Sequence, residues 1–313
     1  MTGTFLITGA TGAQGGATAR ELLARKCKVH AFVRNPTSSA ARGLESLGAV
    51  LFKGDFDDVK AITAATAGVN GVFLNTFPNF TDPGGEVRYA QNFVNAAIAA
   101  KTVTSFVVST VTKPCSDPEK WKAHEAQYPF LSFYHSQKRG VEDVVRKAGF
   151  PSYTILRPGW LLYNYLSHPC RYHFPELESD RILTTSFPRE FKLDSFDPAD
   201  VGKFATAAFM DPGTFNGVEL DLVNEHYTLE EVAQLLTKVS GVEVKARFRS
   251  EEETKAILAS GKLPTVENQI WAKERDDGRN GAHLEKYGIR LTTFEEFMER
   301  EKPRLLATLG AAN

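Results

Sequence analysis

The stretch Gly9-Ala10-Thr11-Gly12-Ala13-Gln14-Gly15-Gly16 sits between a short apolar run, Thr4-Phe5-Leu6-Ile7-Thr8, and a run of helix formers that begins at Ala13. Its spacing is G-x-x-G-x-x-G, one residue longer between the first two glycines than the dinucleotide fingerprint G-x-G-x-x-G. The physical demand is the same. The chain must turn tightly, its backbone must lie bare of Cβ atoms, and the helix must pack close to the strand. A helix that starts there offers unpaired N–H groups and the positive end of its dipole to an anion. The loop therefore predicts a diphosphate cradle built from Gly9, Thr11, Gly12, Ala13, Gln14 and Gly15.

Beyond the loop the chain alternates regularly. Apolar runs at 29–33, 49–52, 71–74, 105–109 and 153–156 read as strands. Helical patterns at 13–26, 39–47, 59–66, 85–101 and 132–147 separate them, the last with Ser132 as its cap and Gly149 as its stop. Strands this short and apolar, alternating with helices, call for a parallel sheet buried on both faces. The expected fold is α/β: a Rossmann doubly wound parallel sheet with a smaller C-terminal α+β substrate domain. Residues 1–159, rejoined by about 196–223, form the nucleotide-binding domain. Residues 160–195, aromatic-rich and irregular, join 224–313 as the second, with a helix from Thr228 and a strand over 242–248.

Composition excludes other classes. Among 313 residues, Lys and Arg total 37 and Asp and Glu 38, a formal charge of -1. A nucleic-acid binder acting through phosphate neutralisation usually carries a basic excess, so no direct nucleic-acid partner is expected. No apolar run approaches the roughly 20 residues that span a bilayer, so no membrane association is expected. The start carries no basic leader pattern. Cys27, Cys115 and Cys170 are odd in number and widely spaced, which fits reduced thiols, a cytoplasmic location and no metal site.

The end of the second strand chooses between the two nicotinamide dinucleotides. NAD-selective sites hold the ribose 2′-hydroxyl with an acid about 20 residues beyond the loop. Here the chain reads Phe32-Val33-Arg34-Asn35-Pro36. Arg34 suits a 2′-phosphate instead, so the expected cofactor is NADP(H). In an open α/β sheet the carboxyl ends of strands form the ligand crevice. That assigns Asp55 with Phe56, then Asn75 and Thr76, then Ser109 and Thr110, to its lining.

These segments, with Lys53-Gly54-Asp55-Phe56-Asp57-Asp58, Lys138-Arg139-Gly140-Val141-Glu142 and Ile155-Leu156-Arg157-Pro158-Gly159, resemble the NmrA-like family, atypical members of the short-chain dehydrogenase superfamily. The resemblance implies a Rossmann domain that binds NADP(H), a smaller second domain and a cleft between them. It implies either a reductase or a sensor that binds the dinucleotide and a protein partner without turnover.

Tyr134 and Lys138 stand at i and i+4, on one helix face. The pair resembles the superfamily's proton-carrying Tyr and its Lys, which also holds the nicotinamide ribose. A phenol titrates near pH 10, and an ammonium within about 4–6 Å lowers that value. Ser109 or Thr110 would polarise the reacting oxygen. NmrA-like members commonly keep the Lys and replace the Tyr, so Tyr134 reads either as the proton carrier or as a packing aromatic beside Phe130 and Phe133. His135 reads as a helix-surface residue. Phe77 and Phe80 after the fourth strand, and Trp160 and Asn164 beyond Gly159, are the candidate contacts for a small apolar or aromatic substrate: a carbonyl, quinone or imine. No H-E-x-x-H, G-x-S-x-G or Walker pattern appears.

Overall fold

The structure is a computed structural model that describes residues 3–77, 79–112, 118–274 and 281–311. Pro78 and Cys115 lie outside the described residues. The elements run β1 Thr4–Ile7, α1 Ala13–Ala24, β2 Lys28–Val33, α2 Ser39–Ser46, β3 Val50–Lys53, α3 Val59–Thr66, β4 Gly71–Asn75, α4 Gly85–Ala100 and β5 Ser105–Ser109. Then come α5 Pro118–His124, α6 Pro129–Arg146, β6 Ser152–Pro158, α7 Glu176–Asp180, β7 Ile182–Thr185, β8 Leu193–Ser195, α8 Pro198–Met210, α9 Pro212–Phe215 and β9 Val218–Leu222. The chain ends with β10 Glu225–Tyr227, α10 Leu229–Ser240, β11 Lys245–Phe248, α11 Glu251–Ser260, α12 Val266–Trp271, α13 Phe294–Arg300 and α14 Lys302–Thr308.

Two units emerge. The first is Met1–Lys113, Tyr134–Pro158 and Pro198–Leu222; the second is Pro114–Phe133, Gly159–Asp197 and Val223–Asn313. In the first unit a seven-stranded parallel sheet has the order β3-β2-β1-β4-β5-β6-β9. The chain starts at the middle, winds outward one way and then crosses back, which opens a crevice where β1 meets β4. Register aligns the carboxyl ends: Asn75 sits opposite Ser109, and Ser109 opposite Leu156. The strands read as near-continuous apolar runs because helices cover both faces. One face packs Leu6, Val72, Leu74, Phe106, Val108 and Ile155 against α3, α4 and α6 residues such as Ile62, Phe93 and Val141. On α1, Gly202 of α8 comes so close that a Cβ there would lie 2.7 Å from the Thr18 amide nitrogen.

In the second unit Tyr165, Phe174, Leu236, Phe294 and Phe297 share one buried cluster. The capping box of Thr228 and Glu231 opens α10. Residues 160–195 are more regular than the sequence suggests. They contain β7, which pairs in parallel with β11, and β8, which pairs antiparallel with β10. Both are too short to carry a pattern of their own. The strand read over 242–248 is confined to Lys245–Phe248.

Two further expectations change. Helix α6 begins at Pro129, the first helical position, where proline's missing N–H is harmless. Ser132 is therefore not its cap: its N–H donates to the Tyr128 carbonyl at 2.9 Å, inside the helix. The segment 114–133 also groups with the second unit, not the first. Trp121 lies 5.3 Å from Trp271 by ring centroids, Tyr128 donates to Glu274 (2.7 Å), and the Leu131 N–H donates to Glu267 (2.8 Å). Each of these contacts spans more than a hundred residues of sequence, which no local pattern encodes. Among the described residues no helix is long and apolar enough to cross a membrane.

Candidate functional site

The site is built on the β1–α1 loop. Gly9 has φ +58°, a left-handed turn that glycine adopts freely, and the Gly12 N–H donates back to its carbonyl at 2.8 Å. A Cβ on Gly15 would lie 2.4 Å from both the Gly9 and Thr8 carbonyl oxygens. Only glycine lets α1 press that closely on β1. Gly12 is the N-cap of α1, no side chain caps the helix, and its first turn carries no acid. Thr11, Gly12 and Ala13 are exposed. The loop therefore presents open N–H groups at the positive end of a twelve-residue helix, and it fits a diphosphate.

The strand ends surround it. Arg34 is exposed after β2, and among the described residues no carboxylate pairs with it. Asp55 accepts from the backbone N–H groups of Asp57 (2.9 Å) and Asp58 (3.0 Å) through Oδ1. The Phe56 ring turns into the core, 5.1 Å from Phe93. The Asn75 N–H donates to the Thr8 hydroxyl at 2.9 Å, tying β4 to the loop. The Ser109 hydroxyl donates to Gln14 Oε1 at 2.6 Å, which joins the fifth strand to the loop.

Thr110 points its chemistry elsewhere. Its hydroxyl donates to Glu142 at 2.7 Å, inside a network in which Glu142 also accepts from Arg157 at 2.7 Å and from Arg146 at 2.6 Å. Burial pushes the Glu142 carboxyl up, but Arg157 outweighs it and holds it below the usual carboxylate range. Of the two hydroxyls proposed to polarise a substrate, only Ser109 stays tied to the loop.

Lys138 has a partner that the sequence did not announce. Its Nζ lies 2.5 Å from Glu86 Oε1 and donates to the Thr76 carbonyl at 2.9 Å; the Thr76 hydroxyl donates to the same Glu86 oxygen at 2.6 Å. Glu86 is fully buried and Lys138 nearly so. The signal was the face of α4. Glu86 stands in line with Ala90, Phe93 and Ala97, so a carboxylate occupies the buried stripe and needs a buried cation.

Tyr134 is half-buried, with the Lys138 ammonium 5.6 Å from its ring centroid. Its pKa is raised: burial pushes it up, Lys138 pulls it down, and Glu86 pushes it up again. The sequence expectation of a phenol tuned toward neutrality is therefore corrected. Burial is the largest influence, Glu86 adds to it, and together they outweigh the ammonium, so the phenol stays protonated at neutral pH. His135 is also half-buried rather than a surface residue, edge-on to Tyr134 at 5.2 Å. Burial lowers its pKa to about 3.

On the candidate substrate side, Phe77 is 75% exposed and meets Phe80 edge-on at 6.4 Å. In the second unit Trp160 packs edge-on against His173 (4.6 Å) and tilted against Phe174 (5.9 Å). Asn164 is half-buried, with its N–H donated to the Leu161 carbonyl at 2.9 Å. Among the described residues no cluster of His, Cys, Asp and Glu could hold a metal.

Known proteins share this fold along nearly its whole length. The model of the NmrA-like family matches residues 1–298. An NmrA-like family domain-containing oxidoreductase, hkm9 of Aspergillus hancockii, is 30% identical over 286 residues, which cover 85% of this chain and 80% of that protein. A crystal structure of NmrA, described as a negative transcriptional regulator, in complex with NADP superposes with a TM-score of 0.75 at 20% identity, covering 96% of both chains. The Citrobacter sp. triphenylmethane reductase complexed with NADP(H) gives 0.72 at 22% identity, over 96% of this chain and 99% of that one.

Proposed function

The chain belongs to the NmrA-like family, and on that footing we propose that it is an NADP(H)-dependent oxidoreductase acting on an apolar carbonyl, quinone or imine. The observation that carries this reading is the uncapped, acid-free N-terminus of α1 behind the turn at Gly9 and the Cβ-free approach at Gly15. That cradle fits the diphosphate of a dinucleotide. Arg34 is the residue for the 2′-phosphate, and Asp55 keeps its Oδ2 free of the turn it caps. The family name of the hkm9 relative and the dinucleotides bound in the two structural neighbours support the same reading.

When bound, the nicotinamide supplies or accepts the hydride. The protein's own residues do the rest. Ser109 donates to the reacting oxygen in exchange for its present bond to Gln14. Tyr134 gives that oxygen its proton; a phenol that stays protonated suits a reduction, where the acid form is the working one. Lys138, fixed by Glu86 and the Thr76 carbonyl, holds the ribose. Within the first unit, Phe77 and Phe80 are the apolar contacts proposed for the substrate. The test is loss of reduced-nicotinamide absorbance when NADPH is mixed with a panel of quinones, ketones and imines. Tight NADPH binding with no turnover of any of them contradicts the oxidoreductase.

One observation favours a second reading, a sensor that binds NADP(H) and a protein partner without chemistry. The Lys138 charge is committed to Glu86, and Tyr134 is not tuned toward neutrality. In that case Tyr134→Phe leaves dinucleotide binding intact and removes no measurable activity, and the partner is captured only in one redox state of the dinucleotide.

A further inference from the structure

The second unit contains a cavity of about 450 Å³ between the segment 186–189 that follows β7, the end of β11, α11 and α12. Four cations line it, and of these Arg249, Lys255 and Lys273 have no carboxylate within ion-pair distance among the described residues. Arg249 is half-buried, and its only side-chain acceptor among the described residues is Gln269 Oε1, 3.5 Å away, at the limit of a hydrogen bond. Its backbone is held: the Arg249 N–H donates to the Thr185 carbonyl at 2.8 Å, so the guanidinium springs from a fixed point at the end of β11. Burial lowers the Arg249 pKa and outweighs the longer-range attraction of Glu176 and Glu253.

The rest of the wall is apolar or hydroxyl-bearing. Phe187, Phe248 and Leu258 line it, and the Ser186 and Thr254 hydroxyls lie 2.9 Å apart at its edge. Arg189 also lines it but is already paired with Glu230 and lies 4.5 Å from the Phe248 ring centroid. Glu251 is the one acid in the lining. A half-buried Arg249 with no ion pair among the described residues, with the exposed Lys255 and Lys273 also in the lining and an aromatic wall beside it, fits an organic anion whose charge meets Arg249 and whose flat body lies along the phenylalanines.

We propose that this cavity is a binding site for an aromatic carboxylate, held by Arg249 with Lys255 and Lys273 and by contact with Phe187 and Phe248. The site uses no residue assigned to the dinucleotide, so it stands or falls independently of that reading. It gives the second unit a ligand of its own, as a substrate group or as an effector.

The probe is naphthoate, titrated calorimetrically into the full chain with and without saturating NADPH, beside its neutral isostere naphthylmethanol. One naphthoate per chain is expected, bound at least about tenfold more tightly than the alcohol, the usual weight of one charge-assisted contact. Arg249→Gln should weaken naphthoate about tenfold and leave the alcohol unchanged. Phe248→Leu should weaken both. Each variant is first checked for an unaltered thermal melt, and Lys273→Gln serves where Arg249→Gln unfolds. Equal affinity for acid and alcohol, naphthoate binding indifferent to both cation variants, or no binding at all overturns the proposal.

Discussion

Glu86 and Lys138 form an ion pair 2.5 Å apart, with Glu86 fully buried and Lys138 nearly so, joining the first turn of α4 to the middle of α6. Both charges act on Tyr134, whose phenol burial pushes up most: the ammonium pulls its pKa down and the carboxylate pushes it up. It also makes α4 and α6 depend on each other.

Breaking the pair from one side leaves a buried charge without its counter-charge, which costs about 3–5 kcal/mol. Glu86→Gln and Lys138→Met should each lower the unfolding free energy read from urea denaturation by that order, while the double variant recovers much of the loss. The cycle of four proteins measures the coupling. Additive losses in the double variant would mean the two side chains do not interact as the geometry has them.

Tyr134 carries a prediction of sign. Its phenol is held protonated, so turnover in the reductive direction should be flat through neutrality and fall only as pH rises above about 10. Glu86→Gln removes the smaller of the two influences that push the phenol up, burial being the larger, so in a folded Glu86→Gln protein the alkaline limb should move to lower pH. Tyr134→Phe should cost about 10²–10⁴-fold in kcat, the usual weight of a proton-transferring group. A basic limb unmoved by Glu86→Gln would remove Tyr134 from the proton transfer.

His135 and His173 are held neutral, with pKa values lowered to about 3 and about 4 by burial. A group whose folded pKa is depressed gives stability that is present above its unfolded value of about 6.5 and is lost as pH falls through the folded value. Denaturant midpoints should therefore decline from about pH 6.5 down to pH 3. His135→Gln should make that decline shallower. An unchanged slope would place the acid sensitivity elsewhere, in Glu142 or Glu219, whose pKa values are lowered.

Gly15→Ala forces a methyl to within 2.4 Å of two backbone oxygens, so the loop must move. Overpacking of this kind costs about 1–3 kcal/mol, and NADPH affinity should fall with it. Gly43→Ala, inside α2 where a Cβ meets nothing within 4 Å, is the control: it should leave binding unchanged and raise the melt slightly, as alanine favours the helix. A Gly15→Ala protein that keeps wild-type affinity would show that the close approach is not what the dinucleotide needs.

The first unit was legible because its information is local. A glycine loop between β1 and α1, apolar strands and stops such as Gly149 each announce themselves within a few residues. What stayed hidden rests on distant pairing. Strands β7 and β8 exist because β11 and β10 lie alongside them. The segment 114–133 leaves the first unit because Trp121 finds Trp271. The start of α6 was readable in Pro129, yet Ser132 offered the more familiar cap. For the candidate site, the spacing proposes Tyr134 and Lys138, and the absence of an acid proposes Arg34. Glu86 went unread, although its place on the apolar stripe of α4 marked it. Thr110 was ranked beside Ser109 because adjacent residues look alike in sequence; only the geometry separates its bond to Glu142 from the bond of Ser109 to Gln14.

The most direct measurement is a calorimetric titration of the purified chain with NADPH and with NADH, repeated on Arg34→Ala. One NADPH per chain should bind, more tightly than NADH, and Arg34→Ala should lose about tenfold for NADPH while leaving NADH where it was. A chain that binds neither dinucleotide contradicts the account at its root, and a selectivity untouched by Arg34→Ala contradicts the role of that residue.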